Sequence, residues 1–92
     1  MAIDIEFDPA KAAKALEDRG LDFSKAGQIF QGKHLTRRDD RADYGEDRYN
    51  TVGWYEGRLV FVTWTPRGQK RRIISMRHTH EKEQRKIRHL LG

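Results

Sequence analysis

Apolar and polar positions alternate with period two at the start of the chain, shift to a helical period, and return to period two for much of the rest. In "IDIEF" (3–7), Ile3, Ile5 and Phe7 alternate with acids, which predicts a strand with one buried face. Asp8-Pro9 then reads as an N-cap and a first-turn proline. The Ala-rich run to Arg19, stopped by Gly20, predicts a helix whose narrow buried face is expected at Ala13 and Leu16. Phe23, Ala26, Gly27 and Phe30 recur at i, i+3, i+4 and i+7 and predict a second helix, capped by Asp22 or Ser24.

From residue 33 the signal turns to strands. "KHLTRRDD" offers a short one and "RADYGE" a polar connection. Three more strands follow, punctuated by hairpin signals at Glu56-Gly57 and Pro66-Arg67-Gly68. The run Leu59 to Thr65 is apolar on both faces, as expected of a central strand covered on both sides. Strict alternation from Arg71 to Arg77 puts Ile73, Ser75 and Arg77 on one face and Arg72, Ile74 and Met76 on the other. Thr79 to Leu91 is helical, with Ile87, Leu90 and Leu91 as its apolar stripe. The order β-α-α-β-β-β-β-α predicts an α+β fold: a small, mostly antiparallel sheet with two N-terminal helices and one C-terminal helix. A length of 92 residues without repeats or linkers predicts a single domain over 1–92.

Composition changes this picture in two ways. Cysteine is absent, which excludes a disulfide framework and thiolate metal sites and fits a cytoplasmic protein. No apolar run approaches a membrane span, and "MAIDIEFDPA" lacks the basic-then-apolar order of a signal peptide, so no membrane role is expected. The net charge of +5 is also unevenly spread. Residues 1–66 hold 10 Lys/Arg against 12 Asp/Glu, whereas residues 67–92 hold 9 against 2. A basic end of this kind fits nucleic acid, an acidic protein partner, or simply a solvated Arg-rich surface.

The landmarks "FDPAKAAKAL", "GLDFSKAGQIF", "GEDR", "VFVTWTPRG", "RRIISMR" and Glu83 occur in an order that resembles the BrnT family, toxins of bacterial type II toxin–antitoxin pairs with a RelE-like ribonuclease fold. The resemblance spans nearly the whole chain and rests on the series rather than on any one motif. Departures from the family pattern fall at Phe7, at Asp18-Arg19, at Thr79 and at Ile87. The resemblance implies an endoribonuclease that cleaves mRNA and inhibits translation, with RNA as substrate. It also implies a ribbon-helix-helix antitoxin of the BrnA kind as partner, and operator DNA bound only through that antitoxin.

RNA is cleaved without metal or cofactor when a base deprotonates the 2′-hydroxyl, cations meet the charge developing on phosphorus, and a donor protonates the leaving oxygen. Arginine suits the second task because its planar fork binds phosphate oxygens in pairs. Arg48, Arg67 and Arg77 match the family pattern on or beside the sheet, and Arg71 and Arg72 are candidate RNA contacts. Glu46 is a candidate base, Ser75 a candidate hydrogen-bond donor to phosphate and Glu83 a further candidate of the catalytic set, while His78 and His80, flanking Thr79 just after Arg77, are candidate RNA contacts whose pKa also suits an acid or base.

Every candidate also has a structural reading. Arg77 and Glu83 can pair across the strand–helix corner, since Glu83 faces the core side of the last helix. Arg67 can be an ordinary turn arginine, and Arg71 and Arg72 can guard an edge strand against aggregation. Glu46 can be a solvated loop acid, Ser75 a structural strand serine, and the histidines surface residues at a helix start. No metal-ligand spacing is present. The competing function is a non-catalytic RNA-binding or antitoxin-binding corepressor module. A DNA-binding role for the last helix lacks a helix-turn-helix partner before it.

Overall fold

The computed structural model describes residues 3–91; Met1, Ala2 and Gly92 of the expected 1–92 domain lie outside the described residues. The chain runs β1 (Ile5–Phe7), α1 (Pro9–Arg19), a 3-10 turn (Phe23–Lys25), α2 (Gly27–Gln31), β2 (His34–Arg38), β3 (Tyr49–Tyr55), β4 (Arg58–Arg67), β5 (Lys70–His78) and α3 (Glu81–Leu91). The five strands form one sheet in the order β1-β5-β4-β3-β2.

That sheet is mixed, which corrects the expectation of a mostly antiparallel one. The pairs β2–β3, β3–β4 and β4–β5 are antiparallel, but β1 lies parallel to β5. Alternation reveals that a segment is a strand and not which neighbour or direction it takes. The two β-hairpins follow from turn chemistry. Glu56 and Gly57 both have positive φ (47° and 79°), as a two-residue type I′ turn requires. The second turn is Gly68-Gln69, with Gly68 at φ 61°, and Arg67 pairs with Lys70 across it. Arg67 therefore ends a strand instead of sitting in the turn, and Pro66 is tolerated because β3 has already ended beside it.

The helices depart from expectation in two places. The second N-terminal helix is broken in two: Asp22 accepts the Ser24 N–H to start a 3-10 turn, and Ala26 donates to Phe23 in the same tight pattern before α2 begins at Gly27. Tight i→i+3 turns and a glycine of low helix propensity replace a continuous helix. In α1 the buried face is Ala15 with half-buried Ala12, whereas Ala13 is exposed and Leu16 is 52% exposed. The caps are as expected, with Asp8 accepting from Ala10 N–H and Gly20 in the left-handed conformation.

The main core lies between one sheet face and the N-terminal segments, where Leu21, Phe23, Ala26, Ile29 and Phe30 pack on Val60, Val62, Trp64, Ile73 and Met76. Ile73 and Met76 share this face because Thr63 pairs with Ser75 and Trp64 with Ile73, leaving Ile74 as a bulge. The strict alternation expected for this strand is thus broken, and Ile73 is not on the face of Ser75 and Arg77. A second, smaller cluster joins Val52, Leu59 and Ile87, with Trp54, Phe61 and Leu91 beside it. It fixes α3 against one end of the opposite sheet face. Within the expected stripe of α3, Ile87 is buried and Leu90 is 56% exposed.

Candidate functional site

The register determines what the sheet presents where α3 does not cover it. Arg37, Asn50, Thr63 and Ser75 stand in one rung across β2, β3, β4 and β5. The Thr63 hydroxyl donates to Asn50 Oδ1 at 2.7 Å, which joins two of these polar side chains. The next rung toward α3 is Leu35, Val52, Phe61 and Arg77. On the other side, Thr65 pairs with Arg72, and Arg72 with Glu6 of β1. A polar row is therefore bracketed by arginines on both sides.

Arg77 lies with its guanidinium carbon 4.4 Å from the centre of the Phe61 ring and donates to both carboxylate oxygens of Glu83, at 3.1 and 3.2 Å. Glu83 also accepts the His80 backbone N–H at 2.8 Å, closing the first turn of α3. The Arg77 guanidinium holds the Glu83 carboxyl below the usual carboxylate range, against the opposing pull of burial. One carboxylate thus caps a helix and orients an arginine.

A second group lies at the other end of the face. Glu46 accepts from Arg48 at 3.3 Å and stands 3.5 Å from Arg67, and Arg48 lies over the Tyr44 ring at 4.0 Å. Arg72 is 3.6 Å from Glu6. Along β4, Phe61 and Arg67 are six residues apart, so the Arg77 and Arg67 ends of the face are separated by about 20 Å. Between α3 and the β2 side lies a groove of about 420 Å³, lined in part by Leu35, Val52, Phe61, Ile87 and Leu90 with Arg37 and Lys86. Beside it Asp39 is buried and held at about 2, chiefly because Arg41 donates to both its oxygens.

Of the sequence candidates, Arg48, Arg67, Arg72, Ser75 and Arg77 share this face, with Glu46 at one end and Glu83 at the other. His80 is exposed at the start of α3 beside Glu83. Two candidates are elsewhere. Arg71 lies on the opposite face, over Phe30 and Trp64, and the His78 ring is bonded to the Arg19 carbonyl at 3.0 Å. Sequence reasoning missed Arg37, Asn50 and Thr63, which fall in one rung with Ser75 only through cross-strand register. Among the described residues, no three His, Cys, Asp or Glu side chains are grouped to hold a metal ion.

A family model described as the ribonuclease toxin BrnT of type II toxin–antitoxin systems matches residues 7–83. The chain belongs to the BrnT family. Every arginine of the face lies within the matched segment, whereas Glu6 precedes it and α3 runs beyond it. Membership makes this a ribonuclease toxin family protein and implies an antitoxin partner. A search of curated proteins finds no match to the chain. Among the described residues, no helix is long and apolar enough to cross a membrane.

Proposed function

We propose that this chain is a metal-independent endoribonuclease of RelE-like type, folded as one domain, that cleaves mRNA in the cytoplasm and so inhibits translation. The observation that carries the reading is the gathering of Arg37, Arg48, Arg67, Arg72 and Arg77 around the Asn50–Thr63–Ser75 row. In this reading Arg67 takes the oxygens of the scissile phosphate beside Glu46, Arg72 and Arg77 hold neighbouring phosphates along the face, and Asn50 and Ser75 donate hydrogen bonds to the strand between them. Glu46 accepts the 2′-hydroxyl proton as that oxygen bonds to phosphorus, the bond from phosphorus to the 5′-oxygen breaks with solvent supplying the proton to the leaving oxygen, and Glu83 positions Arg77.

The resting arginines already have acids: Glu46 on Arg48 and Arg67, Glu6 on Arg72, and Glu83 on Arg77. Such partly exposed pairs are worth about 0–1 kcal/mol, too little to exclude a phosphate group. A phosphorane carries more charge than the diester from which it forms, so arginines that exchange partners favour the transition state over the ground state. The antitoxin, of ribbon-helix-helix type, silences the enzyme by laying acidic residues over the same face. Operator DNA is bound only through that partner.

The test is induction of the chain in bacteria beside Arg67→Ala and Arg72→Ala, following growth, translation and new RNA ends. The wild type is expected to arrest growth and create new ends, and the two folded variants to do so at least tenfold more weakly. A wild type that leaves RNA intact contradicts the reading and leaves a module that binds RNA or antitoxin without cleaving.

A further inference from the structure

Arg71 is the candidate that the arginine face does not absorb. Its guanidinium carbon lies 4.4 Å from the Phe30 ring centre and 4.5 Å from that of Trp64, in the corner where those two rings meet at 81°. Tyr49 stacks on Trp64 behind it at 5.0 Å. Among the described residues Arg71 has no carboxylate within salt-bridge distance, unlike Arg48, Arg67, Arg72 and Arg77. Burial against the rings draws its affinity for the proton down, and no acid opposes that effect.

With the rings at 81° the planar guanidinium can lie flat on only one of them and turns an edge to the other; its remaining N–H groups make no hydrogen bond among the described residues and are available. The guanidinium is therefore held in place with donors unspent. Consecutive residues of a strand point to opposite faces, so Arg71 stands directly behind Arg72. The Arg71–Pro66 pair is next to the closing Arg67–Lys70 pair of the hairpin. Arg67, Gly68, Gln69 and Lys70 are all exposed there. Cations thus line both faces and the tip of the β4–β5 hairpin.

We infer that Arg71 is a second phosphate site, on the far side of the hairpin from the cleavage face, and that a single RNA strand crosses the hairpin tip from Arg67 and Lys70 to reach it. The inference rests on the RNA-cleaving reading and extends it: the protein grips a longer single strand than its cleavage face can hold. Phe30 and Trp64 serve as supports for the cation and are too buried, at 5% and 8% exposure, to stack on bases. The site is indifferent to sequence, because it reads phosphate alone.

The test uses the full chain and two RNAs, one short enough to fill only the cleavage face and one long enough to pass the hairpin tip. Each carries a 2′-deoxy nucleotide at the cleaved position for binding and an unmodified one for turnover. Arg71→Met keeps an apolar chain over the rings and removes the charge, and Arg71→Lys restores a point charge. Arg71→Met is expected to weaken binding of the long RNA three- to tenfold and to leave the short RNA's binding and cleavage unchanged. The slope of log affinity against log salt for the long RNA should flatten by about 0.7, the value of one single-strand phosphate contact. Arg71→Lys should recover most of the slope.

Equal weakening of both RNAs, or an unchanged slope, overturns the inference and makes Arg71 a purely structural cation. Unchanged RNA binding with lost antitoxin binding also overturns it and assigns the cation to the protein partner. A wild-type chain that binds both RNAs equally removes the second site alone. One that cleaves neither removes the nuclease reading, and the inference with it.

Discussion

Glu83 ties β5 to α3 beside the arginine face. It fixes Arg77 through two hydrogen bonds and closes α3 through the His80 N–H. Its folded pKa lies below the ordinary value of 4.5. The unfolded chain therefore takes up this proton first as pH falls, so the stabilisation is complete above that value and is lost as pH drops through the lowered folded one. Glu83→Gln keeps the size and the capping ability but removes the charge. It is expected to cost about 1 kcal/mol at neutral pH. The gap in melting temperature from wild type should close in acid, and a gap that persists at low pH would contradict the charge-based account. The partnership of Arg77 with Glu83 was legible in the sequence because a strand end and a helix start are close in the chain. The positions of Arg71 and His78 were less so. Alternation gives two faces without saying which one a helix covers, and the bulge at Ile74 exchanges them partway along the strand.

Close approach between elements sets the tolerance of the fold to small changes. Gly53 sits where α2 crosses β3, and a Cβ added there would meet Ile29 Cγ2 at 2.9 Å, His34 Cβ at 3.0 Å and the Lys33 carbonyl oxygen at 3.1 Å. Gly53→Ala is expected to destabilise the protein by about 1–3 kcal/mol through overpacking, as measured by denaturant unfolding. The buried Trp64 indole donates to Thr51 Oγ1 at 2.8 Å, and that oxygen also meets Thr36 Oγ1 at 2.8 Å. Thr51→Val strands the indole N–H, at an expected cost of about 1–3 kcal/mol in the same experiment, whereas Thr36→Val leaves its acceptor and should cost less. Strand positions and turn types were readable from alternation and from Glu56-Gly57. The broken second helix was not, because the spacing of Phe23, Ala26 and Phe30 fits a continuous helix and two short turns equally. The parallel partner of β1 was hidden for a related reason: pairing is a long-range outcome that local pattern does not encode.

At the scale of the whole molecule, the basic end of the sequence is divided: Arg67, Arg72 and Arg77 join one side of the sheet, Arg71 stands on the other, and Lys82, Arg85, Lys86 and Arg88 belong to α3. β5 brings Arg72 and Arg77, β4 ends in Arg67, and the acidic first part of the chain supplies Glu6 and Glu46 to hold them apart at rest. Charge asymmetry left nucleic acid, an acidic protein partner and a solvated surface open, and the family resemblance pointed to the ribonuclease toxin family that the matching model shows. Neither could show that Asn50 and Thr63 join Ser75 in the middle of the arginines. We propose that this face cleaves RNA through the 2′-hydroxyl. The most direct measurement is cleavage of a defined RNA by the purified chain in a chelator, with and without ribosomes, beside the same RNA carrying a single 2′-deoxy nucleotide at the cleaved position. The account predicts cutting of the unmodified RNA to a 2′,3′-cyclic phosphate end, no cutting of the deoxy-substituted RNA at that position, and no effect of the chelator. Cleavage of the deoxy-substituted RNA at the same position, or cleavage that requires an added metal ion, would contradict it.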